Sequence, residues 1–135
     1  MSYDDGSEHD RRLVEIFNRY RIKGTFNLNS GKLSQPHHIA AHEVRALYQG
    51  HEVACHTVSH PDLTGLSDTD ICREIVQDRI MLEELTGRPV RGLAYPFGTY
   101  DERIVKLLPE LGITYARTAD STVLRDCSSF SSTRV

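Results

Sequence analysis

The stretch Glu52-Val53-Ala54-Cys55-His56-Thr57-Val58-Ser59-His60 decides how this chain is interpreted. Its first half is a short apolar run with the length of a buried strand. Its second half carries two imidazoles, His56 and His60, where a strand would give way to a loop. The chain has seven histidines in 135 residues, which makes histidine the outlier of the composition. The pattern therefore indicates a metal site at the end of a strand.

On both sides of this stretch, strand and helix patterns alternate. Apolar residues recur at spacings of three and four in the helical segments, and glycine or proline separates these segments from short apolar runs. Helices are predicted to begin at Asp10, Pro36, Ser67 and Thr99. Strands are predicted at residues 1–3, 25–28, 52–55, 92–95 and 113–116. Such alternation predicts an α/β fold, in which helices cover a parallel sheet.

Chemically useful residues follow three of the predicted strands. Asp4 and Asp5 follow the first, His56 and His60 the third, and Tyr95-Pro96-Phe97-Gly98 ends the fourth. In parallel α/β folds the loops after the carboxyl ends of the strands lie on one face, where sites form. We therefore expect these three motifs to meet at one rim of the sheet.

Two histidines and one carboxylate form a three-ligand metal site with a position left open for water. Neighbouring residues of a strand point to opposite faces, so one aspartate can bind the ion while the other takes a proton. A bound divalent ion lowers the pKa of its water to about 7 and polarises a carbonyl oxygen. The donor set suits zinc best, although other transition ions also fit. The expected reaction is metal-assisted hydrolysis of an amide or an ester.

The same residues also have plainer interpretations. Taken alone, Asp4-Asp5-Gly6 is typical of a turn, and loop histidines are often only polar surface. His38 and His42 have the i,i+4 spacing of a helical metal site, but no strand brings them to the rim, so they are predicted to lie on a solvated helix face. Asn29 follows the second strand and is a candidate substrate contact. Cys55 is predicted to be a small buried side chain.

Composition limits the function classes. A hydrophobic content of 39% and a charged content of 26% are typical of one globular domain. The net charge of −3 argues against a nucleic-acid partner.

No apolar run reaches the roughly 20 residues of a membrane span, and no signal peptide is visible. This predicts a cytoplasmic location by default, which a missing N-terminal segment would change. The three cysteines are an odd number without C-x-x-C spacing, which favours free thiols. The oligomeric state stays open.

Three of the motifs occur together in one known family. Ser2-Tyr3-Asp4-Asp5-Gly6 is similar to T-F-D-D-G, His56-Thr57-Val58-Ser59-His60 to H-[ST]-x-x-H, and Leu93-Ala94-Tyr95-Pro96-Phe97-Gly98 to a variant of R-x-P-[YF]-G. In order and spacing the chain resembles the polysaccharide deacetylases, the NodB-homology domain of carbohydrate esterase family 4. The resemblance covers most of residues 1–118. It implies a distorted (β/α)7 barrel, truncated here to about five strands.

The resemblance implies a role for each matching residue. Asp4 would be the general base, and Asp5, His56 and His60 would hold one divalent metal ion. The backbone N–H of Phe97 would stabilise the tetrahedral oxyanion.

Tyr95 and Pro96 of the third motif would line the substrate site. The family acts mostly on N-acetylated sugars in chitin, chitooligosaccharides or peptidoglycan, with acetylated xylan as an ester variant.

The chain departs from the family pattern in two places. Ala94 stands where the third motif usually has an arginine that orients the base. The later motifs, which carry a tryptophan and a histidine that protonates the leaving amine, have no counterpart, since the chain has no tryptophan and no histidine after His60. One interpretation is an incomplete deacetylase domain at residues 1–118 followed by a Ser-rich tail at 119–135. The alternatives are a degenerate, non-catalytic carbohydrate-binding member and a hydrolase of another small amide on the same fold.

Overall fold

A computed structural model describes residues 1–119 of the chain. The tail predicted for residues 119–135 therefore lies, apart from its first residue, outside the described residues. Strands and helices alternate along the described part. In chain order they are β1 (Ser2–Asp4), α1 (Asp10–Arg19), β2 (Thr25–Leu28), α2 (Val44–Leu47), β3 (Glu52–Cys55), α3 (Asp68–Thr86), β4 (Gly92–Ala94), α4 (Glu102–Leu107) and β5 (Tyr115–Arg117).

The five strands form one sheet in the order β1-β2-β3-β4-β5, and every neighbouring pair is parallel. The register pairs Phe26 with both Tyr3 and Val53, and it pairs Leu93 with both Cys55 and Ala116. The predicted α/β fold with a parallel sheet is confirmed. Because all strands run the same way, their carboxyl ends share one rim.

The core lies where the helices pack on the central strands. Phe26, Leu28 and Leu93 of the sheet are fully buried, as expected for strands covered by helices. On α3 the buried side chains recur at spacings of three and four, and they are Ile71, Ile75, Asp78, Leu82 and Thr86. Burying an aliphatic side chain contributes about 1.5–3 kcal/mol, so this stripe fixes α3 against the sheet.

Both ends of α3 are set by local chemistry. The Ser67 side chain accepts a hydrogen bond from the Asp70 N–H, as the capping motif predicts. At the other end Gly87 adopts a left-handed conformation with φ of 70°, which glycine reaches without steric cost.

The prediction of a helix that begins at Pro36 is wrong for the first part of that segment. Residues 36–40 form a turn and an extended link, and the helical segment begins only at Ala41. The cause is tertiary, because the Gly6 carbonyl accepts the Ile39 N–H at 2.9 Å and the His37 carbonyl accepts the Glu8 N–H at 2.9 Å. These bonds hold the segment extended beside the loop after β1.

The last predicted helix also begins later than expected. The N-cap of α4 is Asp101, whose side chain accepts the Ile104 N–H at 2.9 Å. Thr99 instead donates its hydroxyl to Asp62, also at 2.9 Å. Among the described residues, no helix is long and apolar enough to cross a membrane.

Candidate metal centre

Three side chains at the rim point their donor atoms at one another. The Oδ1 atom of Asp5 lies 3.5 Å from Nε2 of His56 and 3.7 Å from Nε2 of His60. All three donor atoms lie within 4.8 Å of one another. Ligand atoms about 2.0–2.2 Å from a tetrahedral ion stand about 3.3 Å apart. The structure thus brings together the three residues predicted as metal ligands, at separations that fit one ion.

His56 is held in the form that a metal needs. It follows β3 and is only 2% exposed. Its Nδ1 donates to the Ala94 carbonyl at 2.8 Å, which leaves Nε2 free to bind, the usual arrangement for a ligating histidine. Burial lowers the pKa of His56 and so favours the neutral imidazole.

The loop that carries His60 is fixed by its neighbours. Thr57 Oγ1 accepts the His60 N–H at 3.1 Å. Glu74 of α3 accepts both the N–H and the hydroxyl of Ser59, at 2.9 and 2.8 Å. From the other side, the Asn29 amide donates to the carbonyls of His56 and Thr57. The two imidazoles therefore meet edge to face, with ring centroids 4.6 Å apart.

Asp5 completes the group of candidate ligands. Its N–H continues the β1–β2 pairing by donating to the Asn27 carbonyl at 3.0 Å. Its Oδ1 atom is buried and has no hydrogen-bond partner among the described residues. A buried carboxylate oxygen without a partner is costly, and a cation beside the two imidazoles would satisfy it.

Left-handed backbone conformations cluster at this site. Asp5, Thr57, His60 and Phe97 have φ values of 75°, 69°, 62° and 58°. Each costs a non-glycine residue about 1 kcal/mol or more. Strain concentrated on two ligands and their immediate neighbours is typical of a functional site.

Asp4, the predicted general base, lies beside this group. Its Oδ1 atom accepts a hydrogen bond from the buried amide of Asn27 at 2.9 Å. The same atom accepts a hydrogen bond from the Arg117 guanidinium, with which it forms an ion pair. Sequence reasoning missed Arg117, which reaches Asp4 from β5. Its only signal was its place at the end of a strand.

Phe97 lies next to His60. Its ring stands edge to face on the His60 ring, with centroids 4.6 Å apart, and is 65% exposed. Within residues 1–119 its backbone N–H has no acceptor, so this donor is free for a ligand.

Three predicted substrate contacts need correction. Asn29, Tyr95 and Pro96 are buried, with Asn29 fully enclosed. Asn29 is used internally by the His56 loop, and Tyr95 stacks on Tyr100 with centroids 5.0 Å apart. Their side chains are therefore buried within the rim.

The histidines after Pro36 are not part of this group of candidate ligands. His37 and His38 lie in the turn after Pro36 and not on a helix, while His42 lies in a short 3-10 turn. Among the described residues, the group of three ligands formed by Asp5, His56 and His60 is the one that could hold a metal ion.

Sequence reasoning also missed a buried carboxylate behind the site. Asp78 of α3 is fully buried, and burial raises its pKa to about 6. Its oxygens accept the Ser30 N–H at 2.7 Å and the His56 N–H at 3.0 Å. A charged residue on the apolar stripe of α3 was the available signal.

The chain is similar to known proteins over most of its length. The family model described as polysaccharide deacetylase matches residues 1–116. Chitin deacetylase 1 of Cryptococcus neoformans is 29% identical over 116 residues, which are 84% of this chain and 24% of that protein. A chitooligosaccharide deacetylase of Sinorhizobium fredii is 25% identical over 117 residues, 84% of this chain and 53% of that protein. The chain thus spans about a quarter to a half of these relatives.

Solved structures show the same fold. The Streptococcus pyogenes deacetylase PplD in complex with acetate superposes with a TM-score of 0.78 at 23% identity, over 82% of this chain and 51% of that one. A CE4 family pseudoenzyme from Bacillus anthracis gives a TM-score of 0.74 at 23% identity, over 86% of this chain and 42% of that one. The five parallel strands of this chain therefore correspond to part of the barrel of these carbohydrate esterases, as predicted. On the match of its first 116 residues, the chain belongs to the polysaccharide deacetylase family.

Proposed function

We propose that this chain carries the metal-binding and water-activating half of a deacetylase that hydrolyses N-acetyl groups of sugars. The proposal rests above all on the convergence of Asp5, His56 and His60 at one rim, with Asp4 beside them. A divalent ion, zinc first among the candidates, would supply Lewis acidity at an acetyl carbonyl and acidify a water molecule there. Asp5, His56 and His60 would hold the ion.

The chain's own residues then have distinct tasks. The Oδ1 atom of Asp4 is engaged by Asn27 and Arg117, which orients the carboxylate and leaves Oδ2 to take the proton of the attacking water. The unpaired Phe97 N–H donates to the oxyanion that develops on the acetyl group. The exposed Phe97 ring offers an apolar wall beside His60.

The proposed site has no side chain assigned to protonate the leaving amine. No histidine follows His60 in the sequence, and general-acid assistance contributes about 10²–10⁴-fold to a rate. An ester with a good leaving group does not need it. We therefore expect this chain to hydrolyse an activated ester such as 4-nitrophenyl acetate, and to hydrolyse an N-acetylated chitooligosaccharide far more slowly.

The test compares zinc-loaded and chelator-treated protein on both substrates. The expected result is ester hydrolysis that depends on zinc and is lost in the Asp4→Asn variant. Because surface histidines also cleave activated esters, only the rate removed by the chelator counts. A protein that binds no zinc, or a rate that the chelator leaves unchanged, overturns the proposal.

A second candidate is a non-catalytic, carbohydrate-binding member. In this sequence no histidine follows His60, and one of the similar structures is described as a pseudoenzyme. Stoichiometric zinc and chitooligosaccharide binding without hydrolysis of either substrate would support this alternative.

A further inference from the structure

The middle of α3 carries a carboxylate where the helix pattern calls for an apolar side chain. Asp78 lies between Ile75 and Leu82 on the buried stripe, and all three are 0% exposed. An isoleucine or leucine at position 78 would continue this stripe without loss to the helix. Burying a carboxylate instead is expensive unless it is well hydrogen-bonded, so the fold alone does not account for Asp78.

The surroundings of Asp78 consist of donors. Oδ1 accepts the Ser30 N–H at 2.7 Å, and Oδ2 accepts the His56 N–H at 3.0 Å. Two N–H donors, one on each oxygen, require a side chain whose two terminal atoms both accept hydrogen bonds. An asparagine would turn its NH₂ group toward one of these donors. The site therefore selects a carboxylate specifically.

These bonds converge on His56. The His56 N–H is shared between Asp78 and the Leu28 carbonyl, each at 3.0 Å. Asp78 also holds Ser30, and the preceding Asn29 donates to the His56 carbonyl. With the Nδ1 bond to Ala94, His56 is held at its N–H, its carbonyl and its ring. Asp78 contributes directly at the N–H and through Ser30 and Asn29 at the carbonyl.

We propose that Asp78 is a positioning residue of the metal centre, which holds the loop after β2 against the end of β3 and so sets where the His56 imidazole stands. This inference rests on the proposed metal-binding function. Loss of a group that orients a ligand typically lowers metal affinity about 10–100-fold. A residue that serves only the stability of α3 would change the unfolding free energy and leave the affinity of the folded protein alone.

The test measures two quantities in the Asp78→Asn variant. In folded protein the Kd for zinc is expected to rise about tenfold or more. In metal-free protein the Ser30 amide, whose acceptor is Asp78, is expected to exchange its hydrogen faster than in the wild type.

Thr86→Val is the matched control. Thr86 is a buried polar residue of the same helix, with its hydroxyl on the Leu82 carbonyl at 2.8 Å, and it lies two turns from Asp78. In the Thr86→Val variant, the zinc Kd and the exchange rate of the Ser30 amide should stay within about twofold of the wild type. This difference is smaller than the tenfold effect expected when an orienting group is lost. Asp78→Ser, which keeps an acceptor in a smaller volume, replaces Asp78→Asn if that variant does not fold.

An unchanged zinc Kd in a folded Asp78 variant overturns the proposal. Rapid exchange of the Ser30 amide in the wild type also overturns it, and this measurement needs no variant. Failure of the wild type to bind zinc would instead overturn the proposed function. The exchange measurement distinguishes the two failures, because it reports the Asp78 bond without metal.

Discussion

The Arg117 guanidinium pairs with the Asp4 carboxylate, although the two residues stand on opposite edges of the sheet. Asp4 ends β1 and Arg117 ends β5, 113 positions later in the chain. Their contact requires a sheet that curls until its first and last strands approach at the rim, as strands of a barrel do. Curvature of the fold thus places a cation on the proposed base.

Arg117→Ala should slow the zinc-dependent hydrolysis of 4-nitrophenyl acetate about tenfold. A charge-assisted hydrogen bond contributes about 1.5–3 kcal/mol, and each 1.36 kcal/mol corresponds to tenfold in rate. We take the low end because both side chains are about one-third exposed. Arg117→Lys should recover part of the rate, and both variants should keep the wild-type zinc affinity. An equal rate in all three proteins would show that Arg117 does not orient Asp4.

Asp4→Asn and Asp5→Asn make the same chemical change at adjacent positions and should have different effects. Asp5→Asn removes the carboxylate that faces both imidazoles, so zinc should no longer bind in stoichiometric amount or raise the melting temperature. A ligand at 100 times its Kd stabilises a protein by about 2.7 kcal/mol, which a thermal melt detects. Asp4→Asn should retain zinc and lose hydrolysis. Zinc bound equally by both variants would contradict the assignment of ligand and base.

Chain direction was sufficient to predict which motifs meet at the rim, whereas the family resemblance distinguished Asp5 as the candidate ligand from Asp4 as the candidate base. Once strands and helices alternate, every strand must be parallel, and Asp5, His56 and His60 reach the same rim regardless of detailed packing. The same argument placed Phe97 there, and the structure shows it against His60.

The supporting residues could not be predicted in this way. Arg117 reaches Asp4 only because the sheet curls, and a pattern of strands does not fix curvature. Asn29 also stands at the rim, yet its amide turns inward to the His56 carbonyl. Whether a polar side chain faces a ligand or the backbone of a neighbouring loop depends on tertiary contacts, which local sequence does not record.

Lowering the pH should destabilise metal-free protein through His51. Its Nδ1 accepts the Gly24 N–H at 3.1 Å and its Nε2 donates to Asn18 at 2.8 Å, so only the neutral ring fits. Burial lowers its pKa, and the charges of Lys23 and Arg88 add to this. The unfolded chain, with a pKa of about 6.5, then takes up the proton first. The contribution of the neutral His51 ring to stability is full above about pH 6.5 and is lost as the pH falls through the pKa of the folded state.

The measurement for His51 is the free energy of unfolding at pH 7.5 and 5.5, in wild type and His51→Gln. Wild type should lose more stability, by at most about 1.4 kcal/mol, because pH 5.5 lies about one unit below the pKa of the unfolded chain. The pKa of His56 is also lowered by burial, but His56 is present in both proteins and its contribution cancels. A variant that loses as much as wild type would show that His51 is not held neutral.

Gly31→Ala should weaken both the fold and the metal centre. Gly31 donates its N–H to the Val58 carbonyl at 3.1 Å, and an added Cβ would lie 2.6 Å from that oxygen and 2.8 Å from Val58 Cγ1. Val58 stands in the loop between the two histidine ligands, so relief of the clash must move this loop. Overpacking of this kind costs about 1–3 kcal/mol, which urea unfolding of metal-free protein measures.

Gly65→Ala provides the comparison that isolates this effect. Gly65 also lies in a short 3-10 turn, but a Cβ there would meet nothing within 4 Å. Its stability should stay within about 0.5 kcal/mol of the wild type, and its zinc affinity should not change. For Gly31→Ala the zinc Kd should rise as well, because the imidazoles lose their spacing even in molecules that remain folded. If both variants bound zinc like the wild type, the loop would be free to adjust, and the spacing of His56 and His60 would not depend on the packing of Val58 against Gly31.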